Sequence, residues 1–204
     1  MTGVIDYGVG NLFSLMSSLK AVGEKAVLSS DPSVLSGCDR IILPGVGAFR
    51  AAMEKLKEKN LDAFVKRYAA TGKSVMGICL GMQLLFDRSY EFGVTEGLGL
   101  IRGEVLPLED ALRQKGFDYK VPHMGWNALN LVNGQNNDLK LKQGDFVYYV
   151  HSFYAPEGDY TVAYSDYGVP VTGVAAAKNV IGCQFHPEKS GKVGLDILKA
   201  FCDL

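Results

Sequence analysis

The first half of the chain switches between two hydrophobic periods. Short, largely apolar runs at Gly3–Asp6, Lys25–Leu28, Arg40–Leu43 and Ser74–Ile78 read as strands buried on both faces. Between them apolar residues recur three and four apart. Leu12, Leu15, Met16 and Leu19 form one stripe, and Leu61, Phe64, Val65 and Tyr68 form another. Asn11 and Asn60 stand where helix N-caps belong, and Gly23 and Gly72 where the two helices must end. Strand and helix alternate to about residue 86, which predicts a parallel sheet covered on both sides.

The pattern then changes. From Gly97 to Leu108 and from Asn127 to Asp145 the helical stripes give way to Gly, Asn and short apolar runs. Phe146–Val150, Tyr160–Tyr164 and Val171–Ala175 are strongly β-prone, and Lys178-Asn179 reads as a hairpin turn into Val180–Phe185. A last helix over Gly191–Asp203 carries Leu195, Leu198 and Cys202. No repeat, low-complexity tract or linker divides residues 1–204. The expected fold is one α/β domain: a mostly parallel open sheet, helices on both faces, and an antiparallel β addition in the second half.

Composition narrows the partners. At 204 residues and 48% hydrophobic content the chain can bury a sizeable core. Lys and Arg number 21 against 22 Asp and Glu, a net charge of −1 without like-charge runs, so neither nucleic acid nor an anionic membrane is an expected partner. The four cysteines (Cys38, Cys79, Cys183 and Cys202) lack C-x-x-C spacing, which points to a reducing compartment rather than a disulfide framework or zinc site. The N-terminus enters a strand directly, with no signal-peptide pattern, so a cytoplasmic location is expected. Gly8-x-Gly10 before a helix suggests a dinucleotide loop, but Phe13 occupies the third glycine position and a nucleotide site is discounted. No cofactor and no metal is expected.

The chemistry centres on Val75–Leu85. Gly77 and Gly81 flank Cys79 with the spacing of a nucleophile elbow, sulfur replacing the serine oxygen. Such a turn strains the nucleophile's backbone and needs glycines where the neighbouring strand and helix approach. Cys79 is then expected to stand exposed above the sheet edge, with the following helix aiming free N–H groups at the sulfur, an arrangement that favours thiolate. The plain alternative is a small core cysteine. A thiol nucleophile needs a base and the base an orienter. His186, at a strand end, has Glu188 two residues on, on the same side of an extended backbone, with Pro187 stiffening the pair. Pro44-Gly45-Val46-Gly47 follows a strand at the carboxyl end of the sheet, where open α/β sheets build ligand sites.

Gly77-Ile-Cys79-Leu-Gly81-Met-Gln83 with His186-Pro-Glu188 resembles the class I (triad) glutamine amidotransferases. Pro44-Gly-Val-Gly47-Ala-Phe49, His123-Met-Gly-Trp126-Asn127, Tyr148-Tyr-Val-His151-Ser152 and His186-Pro-Glu-Lys189-Ser190-Gly191 together resemble the glutaminase subunits of imidazole glycerol phosphate synthases. Residues 109–118 and 133–145 carry no motif. The resemblance implies that Cys79, His186 and Glu188 are a triad hydrolysing L-glutamine. It implies an oxyanion hole from the Leu80 N–H and the Val46 and Gly47 turn, and substrate contacts from Gly45, Gln83, His151 and Ser152. It also implies that ammonia passes to a separate (β/α)8-barrel cyclase subunit in histidine biosynthesis, with Trp126, Lys189 and Asn11 at the heterodimer interface. Trp126 is expected on a loop. Two other readings are another cysteine amidotransferase, such as the glutaminase of pyridoxal phosphate synthesis, and a regulatory subunit that kept the fold but lost catalysis.

Overall fold

A computed structural model describes residues 1–204. The chain runs β1 (Thr2–Ile5), α1 (Leu12–Ala21), β2 (Ala26–Ser29), α2 (Pro32–Ser36), β3 (Arg40–Leu43), α3 (Phe49–Glu58), α4 (Leu61–Ala70), β4 (Ser74–Ile78) and α5 (Leu80–Leu84). It continues through β5 (Phe86–Ser89), β6 (Thr95–Glu96), β7 (Ile101–Pro107), α6 (Leu108–Gln114), β8 (His123–Ala128), β9 (Asn130–Leu131), β10 (Phe146–His151) and β11 (Phe153–Tyr154). β12 (Thr161–Asp166), β13 (Pro170–Ala177), β14 (Val180–Cys183), a 3₁₀ turn (Pro187–Lys189) and α7 (Gly191–Cys202) complete it.

Eight strands form the central sheet in the order β2-β1-β3-β4-β14-β13-β12-β9. The first five are parallel, and β13, β12 and β9 add on antiparallel. Successive strand residues serve opposite faces. Ile5, Ile41, Leu43 and Val75 join Leu56, Phe64, Val65 and Tyr68 of α3 and α4 on one side. Val4, Ile42, Met76 and Ile78 join Leu15 and Leu19 of α1 and Ile197, Leu198 and Phe201 of α7 on the other. This two-sided burial is why the parallel strands read as unbroken apolar runs.

The structure departs from the sequence reading in several places, the short helices α2 and α6 being absent from that reading. The antiparallel addition is only partly an extension of the main sheet: β8 and β10 pair as a separate ribbon, and β5, β6, β7 and β11 form a second four-stranded sheet. β9 is two residues long and contributes two register pairs, so the main sheet stops there. α3 is absent from the expectation although Phe49, Ala52, Met53 and Leu56 make a clear buried stripe, because it starts directly after the glycine turn. Neither Asn11 nor Asn60 forms a side-chain cap; Asn60 instead takes the left-handed conformation (φ 55°) that turns α3 into α4, a conformation asparagine tolerates.

Candidate active site

The parallel register sets the site. β14 lies beside β4 with Cys183 opposite Ile78, and the Cys79 N–H donates to the Cys183 carbonyl at 2.7 Å. The residues leaving the two strands, Cys79 and then Gln184 to His186, therefore emerge side by side at the carboxyl edge. Cys79 has φ 54° and ψ −112°, a strained conformation for a residue with a side chain. A Cβ on Gly77 would lie 2.6 Å from the Gly81 carbonyl oxygen, and one on Gly81 only 1.9 Å from that of Leu43. Both glycines are thus fixed by backbone approach.

Cys79 is 7% exposed, not standing free above the sheet, because Val150 and Gln184 close over the sulfur. It lines a cavity of about 450 Å³ with Val46, Gly47, Leu80, Gln83, His151, Ser152 and His186. The sulfur sits 3.8 Å from the Val150 carbonyl and 3.9 Å from Gln184 Nε2.

His186 Nδ1 donates to Glu188 Oε1 at 2.8 Å, both side chains being 3% exposed. The pair meets for a different reason from the one expected. Glu188 lies in the 3₁₀ turn rather than on an extended strand, so a turn brings its carboxylate back to the ring. That turn is tied down. The Ser190 hydroxyl donates to the His186 carbonyl at 2.7 Å and accepts from the Tyr148 N–H at 3.0 Å, and the His186 N–H donates to the Tyr148 carbonyl at 2.9 Å. Burial pushes the His186 ring toward neutrality, but contact with Cys79 and Glu188 outweighs it and holds the pKa up at about 9. His186 Nε2 and Glu188 Oε2 are buried without an aligned hydrogen-bond partner. The sulfur thus acts on the ring charge while Nε2 remains open for proton transfer.

Gly45 stands behind the cavity wall. A Cβ there would meet the Gly81 nitrogen at 2.7 Å and the Tyr7 hydroxyl oxygen at 2.9 Å, and Tyr7 donates to the Pro44 carbonyl at 2.7 Å, seating the turn against the start of α5. Gly47 has φ +94°, and Val46 is 41% exposed at the cavity mouth. Gln83 donates from Nε2 to the Phe153 carbonyl at 2.9 Å and to Gln184 Oε1 at 3.0 Å.

His151 donates from Nδ1 to the Phe153 carbonyl at 2.9 Å, so its Nε2 accepts, at 3.0 Å, from Nδ1 of His123. His123 is stacked between Tyr149 and Tyr167. Burial lowers the pKa of His123 to about 4; burial, then the neighbouring His123, lowers that of His151 to about 3. Both rings are neutral at pH 7. The sequence reading misses Glu91, Phe92, Pro122, Val150 and Phe153 in the cavity lining, as well as Gln184 behind it. Glu91 accepts from the Phe49 N–H at 2.6 Å; nothing in its local sequence marks it.

Trp126, Lys189 and Asn11 do not line the cavity. Trp126 is on strand β8, not a loop, because β10 pairs with it along its whole length, Tyr148 opposite Trp126. It is 55% exposed, so it does not fill a core. Its ring approaches that of Tyr148 at 6.1 Å, and Lys189 Nζ lies 5.9 Å from the same tyrosine ring. Met124 and Phe146 are also exposed on this ribbon. Asn11 heads α1, which packs beside the 3₁₀ turn.

Among known families, Glutamine amidotransferase class-I matches residues 3–203. Imidazole glycerol phosphate synthase subunit HisH of Lactococcus lactis subsp. lactis is 45% identical over 202 residues, covering 98% of this chain and 96% of the relative. The HisH subunit of Bacillus licheniformis is 49% identical over 203 residues (98% and 95%), and that of Wolinella succinogenes 45% over 206 (100% of both). A solved glutamine amidotransferase superposes with a TM-score of 0.74 at 18% identity over 100% of this chain and 99% of its own. PurLQS from Thermotoga maritima gives 0.70 at 19% over 99% and 97%; these two likenesses speak to the fold. The chain belongs to the class I glutamine amidotransferases and, within them, to the HisH subunits of imidazole glycerol phosphate synthase.

Proposed function

We propose that this chain hydrolyses L-glutamine to glutamate and ammonia with Cys79, His186 and Glu188, and delivers the ammonia to a cyclase subunit. The observation that carries the reading is the strained Cys79 sharing one cavity with His186, whose ring is bound to the buried Glu188. With the proton held on His186 at neutral pH, the Cys79 thiolate attacks the side-chain amide carbon. The Leu80 N–H, the first of α5 and without a carbonyl partner in its own helix, and an N–H from the Val46 and Gly47 turn hold the oxyanion. His186 then protonates the leaving ammonia, water cleaves the thioester, and glutamate departs. Glu188 keeps the imidazole oriented through Nδ1. Gln83, His151, Ser152 and the Gly45 turn shape the substrate's seat. Glu91, at the cavity rim, has one carboxylate oxygen beyond its bond to Phe49 and supplies negative charge for the substrate's α-ammonium group.

Ammonia released into neutral water would become ammonium, which is not a nucleophile. The acceptor is therefore a bound partner, a (β/α)8-barrel cyclase that forms imidazole glycerol phosphate and aminoimidazole carboxamide ribotide. The exposed Trp126 and Lys189 with the half-buried Tyr148 between them, and Asn11 nearby, form the docking face, since an aromatic cluster beside a cation is typical of interface anchors. Four free cysteines suit a cytoplasmic place, and no helix is long and apolar enough to cross a membrane. Glutaminase rates measured for the chain alone, with cyclase, and with cyclase plus its nucleotide ligand test the reading. A rise by orders of magnitude across the series is expected; equal rates would overturn the two-protein reaction.

A further inference from the structure

Behind the cavity a row of amides ends on the nucleophile. The orientation of each follows from the one before. The Phe153 carbonyl can only accept, so the Gln83 group 2.9 Å from it is Nε2. The same Nε2 lies 3.0 Å from the Gln184 amide, which must therefore present its oxygen there and turn its own Nε2, a donor, toward the Cys79 sulfur at 3.9 Å. Gln184 has little room to move. It is fully buried, its N–H donates to the Gly173 carbonyl at 2.9 Å, and it directly follows the register pair of Cys183 with Ile78. The thiol's own acceptor, the Val150 carbonyl at 3.8 Å, lies on a different strand. The sulfur thus has an acceptor for its proton while it is a thiol, and a donor waiting when that proton moves to His186 Nε2.

We propose that Gln184 is a catalytic residue that donates from Nε2 to the Cys79 thiolate, with Gln83 and the Phe153 carbonyl as the groups that orient it. The inference rests on Cys79 being the nucleophile and deepens that reading. It also specifies Gln83: both Nε2 hydrogens are committed within the protein, so only Oε1 faces the substrate, as an acceptor. The titratable groups around the sulfur are His186 with Glu188 behind it, His151 at the end of β10, and Tyr7 beneath the Gly45 turn. None of them replaces a neutral donor fixed on the sulfur at every pH.

The test is the pH profile of Cys79 alkylation by iodoacetamide in the full chain, read by peptide mass. Gln184→Met is expected to move the profile about one pH unit upward, a loss of about tenfold in reactivity at neutral pH. Gln184→Glu, of the same shape but carrying charge, is expected to move it further. In the complex with cyclase, both should lower kcat about tenfold while KM changes less than about twofold. Folded variants with an unshifted profile would overturn the inference. If neither variant folds, the wild-type chain decides. The Gln184 side-chain amide proton signal should move through the pH range in which Cys79 becomes reactive, and stay flat in Cys79→Ser; a signal flat in both would refute the contact. A wild-type Cys79 that resists alkylation up to about pH 9 would remove the nucleophile reading itself, and this inference with it.

Discussion

His123 and His151 show how burial alone sets a protonation state. Both rings sit in a continuous hydrogen-bonded row from Asn127 through His123 and His151 to the Phe153 carbonyl, with their pKa values lowered to about 4 and about 3. In the unfolded chain both titrate near 6.5, so below that pH the unfolded state binds more protons and stability falls as pH drops toward 4. His186 has the opposite sign. Raised to about 9, it contributes stability that is complete below pH 6.5 and is lost as pH rises through 9. Urea unfolding across pH 4 to 9 should therefore give maximum stability near pH 6.5. His123→Asn should flatten the acid limb, whose slope is up to about 1.4 kcal/mol per pH unit for each group. A flat acid limb in the wild type would contradict neutral, buried rings. Little of this network was legible in the sequence. Cys79, His186 and Glu188 stand out by local spacing, whereas Gln83 meets Gln184 across 101 positions and His123 meets His151 across 28, with no period linking them.

Among the elements, α7 places the proposed acid–base pair, His186 and Glu188. Gly194, in its first turns, lies so close under the 3₁₀ turn that a Cβ would be 1.9 Å from the Pro187 carbonyl oxygen. The helix therefore fixes the height at which His186 and Glu188 meet the cavity. Gly194→Ala should shift the turn, lowering glutamine turnover at least tenfold and stability by about 1 to 3 kcal/mol, as overpacking does. Steady-state rates and denaturant midpoints check both, and wild-type turnover in this variant would refute the positioning role. The parallel strands were readable because burial on both faces leaves them uniformly apolar. β8 and β10 were less so: their ribbon buries His123, Val147, Tyr149 and His151 yet exposes Met124, Trp126 and Phe146, a pattern that does not say which sheet receives it.

At the scale of the whole molecule, the proposed nucleophile Cys79, its proposed base His186 and the exposed aromatic ribbon lie on neighbouring segments. The Pro187–Lys189 turn holds Glu188 buried against the His186 ring and carries Lys189 out to the ring of Tyr148. In the proposed reaction, partner docking and proton transfer share one three-residue element, as expected of a glutaminase whose activity depends on its complex. The claim underneath is that the Cys79 sulfur releases ammonia from glutamine. Supplying the complex with amide-¹⁵N glutamine and measuring ¹⁵N in the imidazole product, for wild type and Cys79→Ser, tests it most directly. Full label is expected in the wild type and none in Cys79→Ser, with both complexes still making product at comparable rates from the free ammonia of an added ammonium salt. Labelled product from Cys79→Ser would contradict it.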